Sequence, residues 1–509
     1  MAFLGSILPA LLIGGVLILV AEQGLRPRPI LIWRRPWRAI TIHAGVWLAL
    51  FGAELLVFGR PFFASAMVIT IIVFVVLVSN AKHHALREPF LFQDFGYFAD
   101  AVKHPALYVP FFGPVRSALA AGVFVLALYI GLGLEPPLAT QAPWGRGVLG
   151  AAALLILGVM LVWAGARRLP KLTYSPVADL TRFGLCAFLV FYAFAERRER
   201  RDIAAASQHA VRTPDSGLLP PIVVVQSESY FDIRRLYPDI NPAVFQNWDS
   251  LCGTARAWGM LEVPAWGANT VRTEFAFLSG RAHTELGIHR FNPYRRLASV
   301  ALPTIASSLR QLGYRTICIH PYPAGFYSRD VVFPRLGFDE FIDIRSFSSA
   351  PRVGRYVGDT ALAERICELL HEASQDCIAK PLFVFAITME NHAPDPLSEL
   401  DREGARRFFV GPHPDEDSLS AYLKHLEQAD KALGMLRQKI EALPEGGALC
   451  VYGDHVPILP AVYRRFGEPD GRTDYLVWTH GKSATGSICA NIGVESLGRL
   501  LLKETGLAD

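Results

Sequence analysis

Cysteine is scarce in this chain. Seven thiols (Cys186, Cys252, Cys318, Cys367, Cys377, Cys450 and Cys489) are spread over 509 residues, and no two stand in a C-x-x-C pair. That spacing excludes a disulfide framework and a zinc knuckle. A strong charge imbalance is also lacking. Fifty Lys and Arg against 46 Asp and Glu leave a net charge of +4. The basic residues gather beside apolar runs, so nothing indicates a nucleic-acid partner. The chain shows no internal repeat and no low-complexity tract.

Long apolar runs are what the first 195 or so residues have in abundance. Leu4 to Val20, Thr41 to Phe58, Phe62 to Ser79, Val115 to Leu134 and Val148 to Ala166 are each about the length that crosses a hydrocarbon core at roughly 1.5 Å per residue. A sixth run, Ala178 to Ala195, is shorter and carries Asp179 and Arg182 near its start. The pattern predicts a membrane domain of five to six spans over residues 1–196. Arg26, Arg28, Arg34, Arg35 and Arg38 in the first loop, and Lys82, Arg87 and Lys103 in the third, mark those loops as cytoplasmic. Six spans then put the C-terminal part outside the cytoplasm, and five put it inside. Arg197, Arg198, Arg200 and Arg201 sit on the wrong face for six spans; alternating with Glu196 and Glu199, they read as an interfacial collar against anionic headgroups.

Residues 197–220 are polar and end on Pro220-Pro221, as a linker should. Over 221–509 the pattern changes. Short β-branched runs at Ile222 to Gln226, Thr316 to Ile319, Leu382 to Ile387 and Ala448 to Tyr452 alternate with amphipathic segments at Thr304 to Leu312, Asp359 to Ala373 and Leu419 to Leu443. This predicts an α/β domain with a mainly parallel sheet covered by helices on both faces. Ligands in such domains bind beyond the carboxyl ends of the strands.

The candidate strands run into side chains able to hold a cation. The Ile222 strand ends on Glu228, the Ala448 strand on Asp454-His455, and the Leu382 strand on Thr388-Met-Glu-Asn-His392. Any one alone is as well explained by a turn or a helix cap. Three together bring oxygen and imidazole donors to one sheet edge, a pattern suited to a divalent cation. A fourth element, Trp266-Gly-Ala-Asn-Thr270, precedes a helix-like pattern. Thr270 is there either a plain N-cap or a hydroxyl beside an anion site.

These pieces resemble the lipoteichoic acid synthase and phosphoglycerol transferase branch of the sulfatase and alkaline phosphatase superfamily. The matching segments are the Glu228 strand, Ala268-Asn-Thr-Val-Arg-Thr-Glu-Phe-Ala-Phe-Leu-Ser-Gly280, Phe326-Tyr-Ser-Arg329 with Leu336-Gly-Phe-Asp-Glu-Phe341, Thr388-Met-Glu-Asn-His392 and Tyr452-Gly-Asp-His455. They occur in family order and cover nearly all of the soluble part. The resemblance implies one divalent metal, manganese before magnesium or zinc, held by Glu228, Thr270, Asp454 and His455. It implies Thr270 as nucleophile, and Arg329, His392 and Tyr327 as residues binding the phosphate and glycerol headgroup. The implied enzyme sits in a bacterial inner membrane and moves glycerophosphate from phosphatidylglycerol to an envelope glycan or polymer through a phospho-threonine. A phosphoethanolamine transferase is the rival reading.

The chain departs from that family in two places. Tyr327 stands where tryptophan is usual, and Val271-Arg272-Thr273 where Ser-Asp-Ser is usual, which leaves Thr273 as a fallback nucleophile. Cys252-Gly-Thr-Ala-Arg256 lacks the proline of a sulfatase's formylglycine motif, so sulfate-ester hydrolysis is not expected.

Overall fold

The structure is a computed structural model. It describes residues 2–97, 144–199, 209–213, 219–297, 302–375, 380–392, 402–414, 416–481 and 487–508, with scattered positions between 113 and 138. The chain divides into two compact units, Met1–Arg200 and Arg201–Asp509.

The first unit is helical. Among the described residues, Trp37–Phe58, Pro61–Leu86 and Gly147–Ala166 are long and apolar enough to cross a membrane, and Ile7–Glu22 is apolar but shorter. Trp37–Phe58 packs against Trp144–Ala166 where Gly45 and Gly52 let the backbones approach, Gly45 against the Gly158 carbonyl. The run Val115 to Leu134 falls mostly outside the described residues. The sixth run is not one continuous helix. Gly184 (φ 75°) breaks it into Pro176–Phe183 and Leu185–Arg198, and the second piece, 14 residues long, reaches only about 21 Å at 1.5 Å per residue. Asp179 is the local cause. Its buried carboxylate accepts the Thr173 and Tyr174 N–H groups and the Tyr192 hydroxyl, which ties a helix start where a span was expected.

Among the described residues of this unit, one ion pair is fully buried. Arg35 Nη1 lies 2.7 Å from Glu22 Oε2, the Leu185 N–H donates to Glu22 Oε1 at 2.6 Å, and His43 Nδ1 stands 3.9 Å from the same oxygen. Gly184 suits this place because L side chains rarely adopt its φ of 75°, and a Cβ would also meet the Arg35 guanidinium and Glu22 Oε1.

The second unit is built on one sheet of nine strands. They are β1 (Ile222–Ser227), β2 (Ala257–Glu262), β3 (Arg315–Ile319), β4 (Glu340–Ile342), β7 (Leu382–Ile387), β8 (Gly447–Gly453), β9 (Thr473–His480), β10 (Ile488–Cys489) and β11 (Ile492–Gly493); β5 (Arg352–Val353) and β6 (Tyr356–Val357) form a separate hairpin. The order is β10-β2-β9-β8-β1-β7-β3-β4, with β11 also on β2. From β8 to β4 all pairings are parallel, and β9 is antiparallel to both its neighbours. Strand period two sends Val223 and Val225 to one core and Ile222 and Val224 to the other. Asp359–Gln375 and Asp417–Glu441 cover the first face, and Thr270–Ser279, Ile305–Gln311 and Val494–Glu504 the second. This is the expected α/β sheet covered on both faces. Each strand and helix named from the sequence appears within two residues of its expected bounds, whereas β2, β4 and β9 to β11 went unnamed.

Within the stretch read as a linker, His209 is buried and the Arg212 N–H donates to the Leu507 carbonyl at 2.8 Å. Those residues pack on the sheet's second face, beside Phe277 and Gly498.

Candidate metal centre and nucleophile

Three of the expected ligands converge at the carboxyl ends of the two central strands. Glu228 follows β1 and Asp454-His455 follow β8, so the β1–β8 register, Ser227 opposite Gly453, sets them side by side. A Cβ on Gly453 would collide with the Tyr230 carbonyl, so glycine lets β8 close onto the Ser229 turn. That turn then donates the Ser229 N–H to Asp454 Oδ1 at 2.8 Å. His455 Nε2 lies 3.5 Å from Glu228 Oε1 and 3.3 Å from Asp454 Oδ2. One ligand atom from each residue lies within 4.8 Å of the others, and all three residues are buried.

The donor set fits a divalent cation. Asp454 Oδ2 is buried with no hydrogen-bond partner among the described residues. Such an atom is costly unless something positive meets it. His455 Nδ1 is 3.2 Å from the Val456 carbonyl, so the tautomer protonated at Nδ1 leaves Nε2 facing the carboxylates. Burial first, and Asp454's charge second, push the Glu228 carboxyl up to about 8. Glu22, His43 and Cys186 also lie within ligand distance of one another, but Arg35 already neutralises that carboxylate. A second cation there meets repulsion, so we do not read it as a metal site.

Thr270 opens the Thr270–Ser279 helix, preceded by Asn269 in the left-handed region (φ 68°). The first N–H groups of the helix are therefore left without intrahelical partners at the end that Thr270 opens. The helix is anchored to the backbone at Asp454, because the Thr273 hydroxyl donates to the Asp454 main-chain carbonyl at 2.7 Å. Thr273 is fully buried and committed to that bond, so the fallback nucleophile has a structural task.

The expected headgroup residues come from two loops. Arg329 starts the Arg329–Arg335 helix after two consecutive left-handed residues, Tyr327 (φ 56°) and Ser328 (φ 55°). Its guanidinium carbon lies 5.3 Å from the Tyr327 ring centroid. His392 ends the turn after β7, with its ring 5.8 Å from that of Tyr356.

Sequence reasoning missed two parts of this region. His320, directly after β3, is buried with Nδ1 3.0 Å from the Ile387 carbonyl, and burial with the Arg329 charge holds its pKa well below the ordinary value. The strand-end rule that found Glu228 applies equally to His320. The other part is a buried carboxylate pair. Glu390 takes the Asp359 N–H at 2.8 Å and meets His425 Nδ1 at 3.0 Å, while burial and then Glu390's charge push the Asp359 carboxyl up. No local motif announces it.

Residues 220–502 match the sulfatase family model. The chain belongs to the sulfatase family. Among relatives of this sulfatase-family chain, the capsular polysaccharide biosynthesis protein RkpI of Rhizobium meliloti (strain 1021) is 30% identical over 82% of this chain and 77% of its own length. A putative cyclic beta-1,2-glucan modification protein of the same organism is 24% identical over 92% and 75%. Among solved structures, the lipoteichoic acid synthase LtaP of Listeria monocytogenes is similar at 19% identity and a TM-score of 0.47, over 59% of this chain and 76% of that one. Burial and neighbouring acids push the Cys252 thiol up to about 12.

Proposed function

We propose that this chain is a membrane-bound phosphotransferase moving glycerophosphate from phosphatidylglycerol to a hydroxyl of an envelope glycan. The observation that carries the reading is the buried Glu228–Asp454–His455 set, with its unpartnered carboxylate oxygen, tied to the first turn of the Thr270 helix. We assign Glu228, Asp454, His455 and Thr270 as ligands of one divalent cation, manganese before magnesium or zinc. A cation held there lowers the pKa of a coordinated hydroxyl and offsets charge on phosphoryl oxygens.

Thr270 Oγ1 forms a bond to phosphorus as the bond to the diacylglycerol oxygen breaks, and the threonine proton ends on diacylglycerol. A glycerophospho-threonine results. An acceptor hydroxyl then bonds to phosphorus, the Thr270 Oγ1–phosphorus bond breaks, and the acceptor's proton returns to Thr270. Arg329 and His392 hold the phosphate and headgroup, and Tyr327 lines the approach. The glycan acceptor is supported by the relatives' names, which are a capsular polysaccharide protein and a glucan modification protein.

The unit 201–509 works, in this proposal, on the extracytoplasmic side of a bacterial inner membrane. Exposed Cys489 reports on this, since a membrane-impermeant maleimide should label it in right-side-out vesicles. Labelling in inside-out vesicles alone would reverse the orientation.

Full-length protein incubated with headgroup-labelled phosphatidylglycerol and manganese, without acceptor, should carry a glycerophosphate adduct on Thr270 that disappears with chelator. An adduct from phosphatidylethanolamine instead would move the chain to the rival transferase, and none from either lipid would end the reading.

A further inference from the structure

Thr270 and Glu274 lie one turn apart on the same face of one helix. Glu274 is fully buried, and its Oε2 accepts Arg329 Nη2 at 2.8 Å while Oε1 faces Arg329 Nε at 3.4 Å. The Tyr294 hydroxyl donates to the same Oε1. Burial, and then the Glu274 charge, hold the Tyr294 phenol well above its ordinary pKa, so it stays a donor. Arg329 Nη1 makes no hydrogen bond among the described residues, and the Arg329 charge is felt at both Glu228 and His320.

An ion pair buried this deeply is a poor device for stability. Desolvating two charges costs several kcal/mol each, and apolar replacements of like volume are often neutral or better. Geometry is what the pair supplies. Glu274 occupies the Nε–Nη2 edge of a rigid planar fork, which fixes the plane and leaves the Nη1 edge outside the pair.

We propose that Glu274 is a positioning residue for the transfer: it holds Arg329 from behind, on the helix that carries the nucleophile, so that the guanidinium's free edge and Thr270 Oγ1 keep one fixed relation to a phosphodiester. Tyr294 keeps the carboxylate from rotating. The residue acts through Arg329 and does not touch substrate. This rests on the phosphotransfer reading above. It extends that reading by making the nucleophile and the anion clamp one mechanical unit across 55 residues of sequence.

The test is a double-mutant cycle in the full-length protein, reading the rate of Thr270 adduct formation against phosphatidylglycerol concentration. Glu274→Gln keeps the volume and should lower the rate per unit donor about 10- to 100-fold, as loss of a residue that orients a ligand-holding group does. Arg329→Gln should fall at least as far, and the double variant no further than Arg329→Gln alone. Additive losses, or an unchanged rate in folded Glu274→Gln, would overturn the proposal. Should Glu274→Gln not fold, Tyr294→Phe leaves the ion pair in place. It should show a smaller loss that vanishes in the Arg329→Gln background, and a loss persisting there counts against us.

Failure of the phosphotransfer reading shows separately, as a wild type that forms no adduct. Calorimetric titration with inorganic phosphate then decides. Weaker binding in Glu274→Gln upholds the positioning role, and no binding by wild type, or equal affinity in the variant, ends it.

Discussion

The two units each bury a carboxylate beside an imidazole, and they neutralise it differently. In the helical unit Glu22 has its cation built in, as Arg35 Nη1 at 2.7 Å. In the sheet unit Glu228 and Asp454 have only His455 between them, and Asp454 Oδ2 has no hydrogen-bond partner among the described residues. The first arrangement carries its own guanidinium as counter-charge. The second has no Lys or Arg paired with it among the described residues, and the helix that Thr270 opens is tied to it through Thr273. A buried charge thus points to function when the chain leaves it unmatched.

The comparison breaks most visibly at the open cluster. Asp454→Ala should lose bound metal and adduct formation together, and Thr270→Ala adduct formation alone, each by at least about 10³-fold in rate. Metal content by mass spectrometry and the adduct assay separate the two. Retained activity in either variant removes the site assignment.

At the closed cluster the order reverses. Arg35→Met strands Glu22 in an apolar setting and should destabilise the helical unit by about 3–5 kcal/mol, seen as a lower unfolding midpoint in detergent. Adduct formed per folded molecule should not change. If activity falls with unaltered stability, the Glu22 pair is not merely structural.

A third buried ionisable group sharpens the contrast. His209 sits against the nucleophile helix, and burial pushes its pKa from 6.5 down to about 4. The sign follows from linkage. Unfolded chains bind a proton near pH 6.5 and the folded one only near 4, so stability falls on acidification across that window and levels off below it. The full loss is about 3 kcal/mol, and His209→Phe should flatten that part of the unfolding midpoint against pH. An unaltered slope in His209→Phe would assign it to other groups.

Chelator gives the smallest effect. Removing a cation held at 100 times its Kd costs about 2.7 kcal/mol by mass action. The shift should appear in the transition of unit 201–509 and not in that of the helical unit, and it should be absent in Asp454→Ala. A shift that survives in Asp454→Ala would put the cation elsewhere.

What the sequence revealed follows the range of the interactions. Strands β1, β3, β7 and β8 are buried on both faces, so their continuous apolar runs stand out, and Glu228 and Asp454-His455 stand out at their ends. Strand β2 buries only Ala257 and Leu261, with neither a continuous apolar run nor a period of two, and β10 has only two residues, so neither leaves a clear signal. The break at Gly184 was half visible. Asp179 and Arg182 mark it in the sequence, whereas the positive φ of Gly184 and the distant Arg35 guanidinium beside it show only in the fold. Glu274 was quoted as one letter of a motif, and its importance lies in Arg329 and Tyr294, neither of them a local neighbour.

The pairing of β8 with β1 also sets a schedule. Ser229 and His455, on the two halves of the cluster, are 226 residues apart. A chain growing from its N-terminus therefore displays Glu228 and Thr270 long before the strand that brings Asp454 exists. Until β8 inserts beside β1, only one of the three acidic and imidazole donors is in place, and closing so long a loop comes late in folding. The three-donor set is thus complete only once β8 has paired with β1, and a nascent or truncated chain that ends before Gly453 lacks Asp454 and His455 altogether.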